Sequence, residues 1–450
     1  MKILAIETSC DDTGIAILEY KPQKNQLKIL ANLVSSQIKI HAPWGGVVPM
    51  LAKREHQKNL VPLLIKALKK SMLLTHNCHP GAARRQKDLA QMDGPAYARS
   101  DESETRRAGD SSPRHSGAQN DKRKIKTLNG ILAREPELAE QLLPFLQKYQ
   151  KPDTDYIAVT VGPGLEPALW VGVNFVRALA YFWKLPILPI NHIEGHIAAA
   201  FAAGGESRGI FNFPRPCLGS AEGGQFSIFN KSINLPAITL VVSGGHTQLI
   251  LVKKIGDYKI VGETRDDAAG EAFDKVAKML NLGYPGGPAL AAEAAKLKIK
   301  NEKLKVKELP RPMINSNDFD FSFSGLKTAV LYALQKMTPA QIKKFTPAIA
   351  AEFQQAVIDV LIAKTIRAAK EFDAKTVLLS GGVAANDLLR NSLSLATNHL
   401  SLNFSVPPKN LCVDNAVMIA LTAAQKIAAG EKIKTARWQN LQAQANLRIG

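Results

Sequence analysis

The apolar residues of this chain come in two rhythms, and the rhythms repeat. Residues 2–8 form a short apolar run that stops at small polar residues, Ser9-Cys10-Asp11-Asp12-Thr13-Gly14, and residues 15–19 return. Alternation broken by such a cluster predicts a strand, a tight turn and a second strand, with a third strand at about 28–37. A glycine-rich loop spans 41–49, and a helix is expected over 51–72, where Leu60, Leu63, Leu64 and Leu68 recur at helical spacing. Further on the pattern predicts a helix at 135–150, a strand at 156–161, a turn at Gly162-Pro163-Gly164 and a helix at 167–183. The apolar strand-like run 185–190 follows.

The second half opens the same way. A strand is predicted at 236–242, a turn at Ser243-Gly244-Gly245-His246-Thr247, a return at 248–253 and a third strand at 258–264. Helices are expected at 271–280, 289–297, 326–335 and 339–372. The strand 376–379 runs into Ser380-Gly381-Gly382-Val383-Ala384-Ala385-Asn386 and another helix, and a final helix is expected at about 414–428. The expected fold class is therefore α/β, a structural duplication of two lobes that face each other. Both hairpin turns and both glycine-rich strand-to-helix turns then meet in one cleft. Backbone N–H groups at such turns and at helix N-termini suit a nucleotide's phosphates, and glycine lets the chain approach them closely.

Four cysteines in 450 residues (Cys10, Cys78, Cys217, Cys412) show no CxxC spacing, which points to a reducing compartment rather than a disulfide framework or zinc ribbon. The start reaches Glu7 without a signal peptide's apolar core. The helix at 167–183 carries Asn174 and Arg177 and is too short and polar to cross a bilayer, so a cytoplasmic protein is expected. Residues 75–126 change character, being rich in Arg, Asp, Ser, Gly and Gln with little apolar periodicity. They are expected to form a disordered or loosely attached insertion, and His76, Cys78 and His79 within it lack the company a zinc module needs. Fifty-eight Lys and Arg against 39 Asp and Glu leave a net charge of +19, a bias toward polyanions such as nucleic acid.

The candidate chemistry centres on His192-Ile193-Glu194-Gly195-His196, which follows the 185–190 run and opens a helical stretch. Histidines four apart on a helix share a face, so both imidazoles can reach one cation. A third ligand must come from elsewhere; the best candidate is Asp414, at the expected start of the last helix, where it can alternatively serve as an N-cap. Two histidines and a carboxylate leave open positions and suit Fe(II) or zinc holding a substrate oxygen. A metallopeptidase is one rival. In its HExxH motif the glutamate follows the first histidine, about 100° round the helix, whereas Glu194 lies about 200° round and points away. An actin-like ATPase or sugar kinase is the other rival, with a suitable cleft but a metal set unlike the oxygen ligands of Mg²⁺.

At these residues the chain resembles a known family, the universal tRNA N6-adenosine threonylcarbamoyltransferases of the actin/Hsp70/sugar-kinase-like superfamily, in their bacterial form. The matching pieces are Ile6 to Gly14, His41 to Arg54, Asn191 to His196, Val242 to Gln248, Asp266 to Lys275 and Tyr284 to Pro288. They continue through Pro310-Arg311-Pro312, Phe321 to Lys327, Ser380 to Asn386 and Val413-Asp414-Asn415. They run in family order over nearly the whole chain except the insertion. The resemblance implies ribonuclease-H-like, actin-like lobes at 1–190 and 191–413, with 414–450 returning to the first. It implies transfer of threonylcarbamoyl from threonylcarbamoyl-AMP to N6 of adenosine 37 in tRNAs that read codons beginning with A. By the match, His192, His196 and Asp414 hold one divalent metal, Fe²⁺ ahead of Zn²⁺, and Val241, Val242, Ser243, Gly244, Gly245, Asp274, Gly287 and Asn386 bind the adenylate. Asp11, Asp12 and His246 face the reacting centre, one of them assisting deprotonation of the amine. A paralogous partner lacking the metal site and a small ATPase are implied as partners. Met50 and Lys53 depart from the family's usual Glu and Ser, which puts a polar role for that loop in question.

Overall fold

In a computed structural model, the structure describes residues 1–24, 26–77, 115–203, 225–227, 233–299, 306–429 and 435–450. The first sheet grows from β1 (Lys2–Glu7), which pairs antiparallel with β2 (Asp12–Lys21); β2 pairs in turn with β3 (Gln26–Ser36). On its other side β1 runs parallel to β4 (Tyr156–Gly162), and β4 to β5 (Ile187–Asn191). A short strand, β6 (Gln225–Ser227), lies along the outer edge of β3. The first sheet also carries α1 (Ile38–His41), α2 (Pro49–Lys70), α3 (His115–Ile131), α4 (Pro136–Lys148) and α5 (Glu166–Trp183). Leu4, Ile6, Ile15 and Ile17 face Leu60, Leu64 and Leu68 of α2 and Phe175 and Leu179 of α5 in one core. Two polar residues of the apolar α5 are accounted for there. Asn174 donates to the buried Glu135 carboxylate at 2.9 Å, and Arg177 donates to Asn174 at 2.9 Å.

Between the lobes the chain forms α6 (His192–Ala203). The second sheet is built from β7 (Ala237–Val242), β8 (Thr247–Lys254), β9 (Asp257–Glu263), β10 (Thr376–Ser380) and β11 (Asn403–Ser405). Its spatial order, β11-β10-β7-β8-β9, reproduces β5-β4-β1-β2-β3 of the first sheet. The senses agree as well: the hairpin partners are antiparallel and the remaining neighbours parallel. The expected duplication of two ribonuclease-H-like lobes is present strand for strand. One face of this sheet packs under α7 (Ala269–Met279), α8 (Gly286–Ile299), α9 (Ser324–Gln335), α10 (Pro339–Glu371) and α11 (Asp387–Asn398).

The second faces of the two sheets share a layer, made of α6 and of α13 (Ala416–Ala428), which follows the short α12 (Lys409–Cys412). Ala198, Ala199 and Ala202 of α6 pack with α13 against Ile3, Ala5, Ala16 and Leu18. Ile193, Ile197, Ala200 and Phe201, on the other side of α6, pack against Val241, Ile250, Val252 and Leu378. A helix clamped between two sheets is apolar almost all round, as the run Ile197-Ala-Ala-Ala-Phe201 requires.

Several expectations need correction. Residues 115–126, read as part of a disordered insertion, belong to α3. Leu128, Ile131 and Leu132 bury in the first core, and once they fix a helix its extension costs little, even through the exposed Lys122-Arg123-Lys124. Residue 76 also belongs to the fold, since His76 bridges Tyr149; Cys78, His79 and the rest of 78–114 lie outside the described residues, as does Cys217. The last helix begins at Ala416, not 414. Strands β6 and β11 were not expected; at three residues each they are too short to show a period. Among the described residues the helix long and apolar enough to cross a membrane is α10, not the helix at 167–183. Its Ile349, Phe353, Val357 and Leu361 belong to the second lobe's core.

Candidate functional site

Asn191 sets the first turn of α6. Its side-chain oxygen accepts hydrogen bonds from Ile193 N at 2.8 Å and Glu194 N at 3.4 Å, a helix cap that places His192 at the first helical position. His196 follows one turn later, and the two rings lie 4.7 Å apart at 80°. Gly195 lets α6 approach α13, since a Cβ there would lie 3.1 Å from Ile419 and Met418. That approach brings in Asp414, whose Oδ1 is 3.3 Å from His196 Nε2 and 3.5 Å from His192 Nε2. Asp414 is not the helix cap. Asn415 takes that role, accepting from Met418 N at 3.1 Å and donating to Val413 O at 2.7 Å. The carboxylate of Asp414 is thus left to the histidines.

One residue the sequence did not single out completes the arrangement. Glu7, at the end of β1 and fully buried, has Oε2 at 3.3 Å from His192 Nδ1, with Ser9 Oγ at 3.1 Å from the same nitrogen. Thr160 Oγ1 and Ser9 N hold the carboxylate by donating to it at 2.6 Å each. With Glu7 beside Nδ1, the nitrogen left for a cation is Nε2, which faces Asp414 and would offer its lone pair once it gives up its proton. Burial opposes charge on His192, but Asp414 and Glu7 outweigh it and lift its pKa to about 9. Burial likewise opposes charge on Asp414, yet His192, His196 and His246 hold it well below the usual carboxylate range.

The ligand atoms of His192, His196 and Asp414 lie within 4.8 Å of one another. Both ring nitrogens of the buried His196 lack a hydrogen-bond partner. Buried polar atoms are normally satisfied, so an orphaned imidazole beside a carboxylate fits a cation that would take its lone pair. Two imidazoles and one carboxylate with an open side suit Fe(II) or zinc better than Mg²⁺.

Both hairpin turns reach this cluster. Asp11 and Asp12 follow the turn after β1, and the Asp11 carboxylate is 3.5 Å from the Tyr284 hydroxyl of the second lobe. Burial first, then Asp414, raises the Asp11 pKa; burial first, then Asp11, raises Asp12 to about 7. His246 closes the turn after β7, where Ser243 N donates to its carbonyl at 2.8 Å and its own N donates to Ser243 Oγ at 3.1 Å. Burial, then the neighbouring His192 and His196, lowers its pKa to about 4. All three candidate proton acceptors feel the charge of Asp414.

The nucleotide-type positions divide. Gly244, Gly245 and Gly287 face open space, with nothing within 4 Å of where a Cβ would stand. Val241 and Val242 are fully buried, so only their backbone can meet a ligand. Asp274 Oδ1 accepts from Gly286 N at 2.6 Å at the start of α8, and burial raises its pKa to about 6. Asn386 is the N-cap of α11, accepting from Leu388 N and Leu389 N, and its amide donates to Gln354 at 2.8 Å. Its side chain is occupied by structure on both ends.

Glu194 turns from the histidines to Lys426, 2.5 Å away, as its place round the helix predicts. Lys53 donates to Arg134 O at 3.2 Å and sits 3.8 Å from Glu135, a structural role, while Met50 is exposed.

The family model described as "TsaD: tRNA N6-adenosine threonylcarbamoyltransferase" matches residues 28–78, 136–225 and 215–421, leaving 1–27, 79–135 and 422–450 outside. A protein of Persephonella marina named tRNA N6-adenosine threonylcarbamoyltransferase is 36% identical over 429 residues, covering 95% of this chain and 90% of its own. One of the same name from Syntrophomonas wolfei is 36% identical over 422 residues, covering 94% and 91%. Among solved structures, a ROK hexokinase from Thermus thermophilus aligns with 96% of this chain and 100% of its own, at 12% identity and a TM-score of 0.36.

Proposed function

The chain belongs to the tRNA N6-adenosine threonylcarbamoyltransferase family, and from that premise we propose that it moves the threonylcarbamoyl group of threonylcarbamoyl-AMP to N6 of adenosine 37 in tRNAs reading codons that begin with A. The observation that carries the proposal to particular residues is the His192–His196–Asp414 cluster, two buried histidines and a half-buried carboxylate near the hairpin turns of both lobes. In the reaction N6 attacks the carbamoyl carbon, the bond from that carbon to the phosphate oxygen breaks, and AMP leaves. One divalent ion, Fe²⁺ ahead of Zn²⁺, held by the three ligands would act as a Lewis acid toward oxygens of the transferred group.

The chain's own residues supply the rest. Ser243, Gly244 and Gly245 offer backbone N–H groups and open space to the adenylate, with Gly287 opposite. Asp274 keeps its second oxygen for a ribose hydroxyl. One of Asp11, Asp12 and His246 accepts the proton the amine loses. Neutral His246 and a half-ionised Asp12 both have capacity to do so near pH 7. A paralogous subunit without the metal ligands and a small ATPase would be the working partners, in the cytoplasm, with the first lobe's helices as the contact.

The peptidase reading loses its base, because Glu194 pairs with Lys426. The kinase reading lacks an oxygen-rich Mg²⁺ set among the described residues. The test is a transfer assay with purified protein, partners, threonylcarbamoyl-AMP and unmodified tRNA, read by nucleoside mass spectrometry. Threonylcarbamoyladenosine from the wild type and none from His196→Ala is expected. No product from wild type beside demonstrably active partners would sink the proposal.

A further inference from the structure

The chain ends in a segment without helix, residues 435–450, that is tied to both lobes. Ala436 N donates to Ile187 O at 2.9 Å, Leu441 is buried in the first lobe's core, and Leu447 packs against that core. Further on, Ile449 is buried in the cluster that holds Val241 and Ile250 of the second sheet, and Arg448 pairs with Glu263 of β9 at 2.7 Å. Between these anchors the segment crosses the ends of β4 and β5, where Gly162 and Asn191 are strand partners.

Two of its contacts there lead to His192. The first runs through Asn191, whose Oδ1 accepts from Ile193 N and Glu194 N while its Nδ2 donates to Arg448 O at 3.3 Å. A side-chain amide has one accepting and one donating end, so a carbonyl held on the nitrogen fixes which end the helix receives. The tail thereby sets the cap from which α6 starts, and His192 is the first residue of that helix. The second runs through the turn after β4. Gln444 N donates to Val161 O at 2.7 Å and Gly164 N to Ala445 O at 3.1 Å, and a Cβ on Gly162 would run into the Gln444 carbonyl. That braced turn passes to Ser9, whose carbonyl accepts from Leu165 N at 2.8 Å and whose hydroxyl lies 3.1 Å from His192 Nδ1. His192 is thus held at its backbone and at its ring by structure that the tail braces.

We propose that residues 444–449 are a positioning element of the metal site: the Arg448 carbonyl, through the Asn191 amide, holds His192 where its Nε2 meets the ligand atoms of His196 and Asp414. The inference rests on the reading of those three side chains as metal ligands, and extends it to a segment outside the ligand set. A side chain two steps removed from the cation then carries part of its affinity, as outer partners of ligand histidines do.

The test is Zn²⁺ affinity, by competition with a chromophoric chelator, for wild type, a chain ending at Leu447, Asn191→Ser, and the two changes together. Truncation should weaken Zn²⁺ binding about tenfold. Asn191→Ser keeps a capping oxygen but leaves no amide for Arg448 to hold, and should weaken binding by about the same factor. Combined, the two should lose no more than the larger single loss, since both break one connection. Hydrogen exchange in the metal-free protein should quicken over residues 190–197 in each variant. Should the shortened chain not fold, Asn191→Ser decides alone, by its Zn²⁺ affinity and its exchange over that stretch. Wild-type affinity in either single variant, or losses that add in the double variant, would overturn the tail's role and leave the ligand set standing. A wild type with no saturable Zn²⁺ site would instead remove the ligand reading, and this inference with it.

Discussion

A histidine binds a cation through whichever ring nitrogen keeps its lone pair, and its other neighbour decides which that is. For His192 the neighbour is Glu7, a buried carboxylate 185 positions away in the chain. Such outer partners typically hold one to two powers of ten in metal affinity. Glu7→Gln keeps the shape but can present an amide N–H to Nδ1, so metal affinity measured by competition titration should fall about tenfold or more. An unchanged affinity would reduce Glu7 to packing. His56 makes a second residue-level prediction. It is buried, its Nε2 is 2.9 Å from Cys10 O and its Nδ1 2.7 Å from Thr13 Oγ1, and burial lowers its pKa to about 4. Between that value and the ordinary 6.5 the unfolded chain binds more protons, so stability rises with pH across the window. The contribution is complete above about 6.5 and lost as pH falls through 4, up to about 3 kcal/mol. Urea unfolding of wild type against His56→Gln at stepped pH should show a shallower slope in the variant, which keeps only the part that His246 and other groups contribute.

At the scale of elements, the two helices of the shared layer matter most, and each is started by an asparagine. Asn191 caps α6 beside His192, and Asn415 caps α13 beside Asp414. Asn415→Ala should cost roughly 1 kcal/mol of stability through the lost cap. It should also weaken metal binding, because the same side chain ties Val413 and thereby the backbone on which Asp414 rides. Loss of stability with unchanged metal affinity would separate the two roles. The elements themselves were largely legible in the sequence. Hairpins, glycine-rich turns and long helices announce themselves through local period and punctuation. Helix α3 was not, because its exposed basic turns have no apolar beat and depend on Leu128 and Ile131 burying at its end. Of the site, the HxxxH spacing is local and readable, and Asp414 was a candidate from its place near the start of the last helix, where a capping role competed until the family resemblance favoured a ligand. Glu7 was invisible as a partner, since nothing near it in sequence says that β1 ends beside α6.

Across the whole molecule, the surplus of 19 positive charges predicts a binding step governed by salt. Each phosphate neutralised releases counterions, so KM for tRNA should climb as a power of salt concentration while affinity for the small adenylate changes far less. A tRNA KM insensitive to salt would assign the lysines to solubility alone. The duplication was foreseeable from the matched halves, and the return of 414–450 to the first lobe from the family resemblance, but the residues that meet in the shared layer were not, because they lie far apart in the chain. Ile3, Ala5, Ala16 and Leu18 are covered by residues 417–421. A growing chain must therefore carry one uncovered apolar sheet face through most of its synthesis, and Asp414, the last of the three proposed metal ligands, leaves the ribosome just before the helix that covers that face. Interrupted translation would yield fragments that are sticky and lack Asp414, which makes the arrival of α13 a checkpoint on the fold.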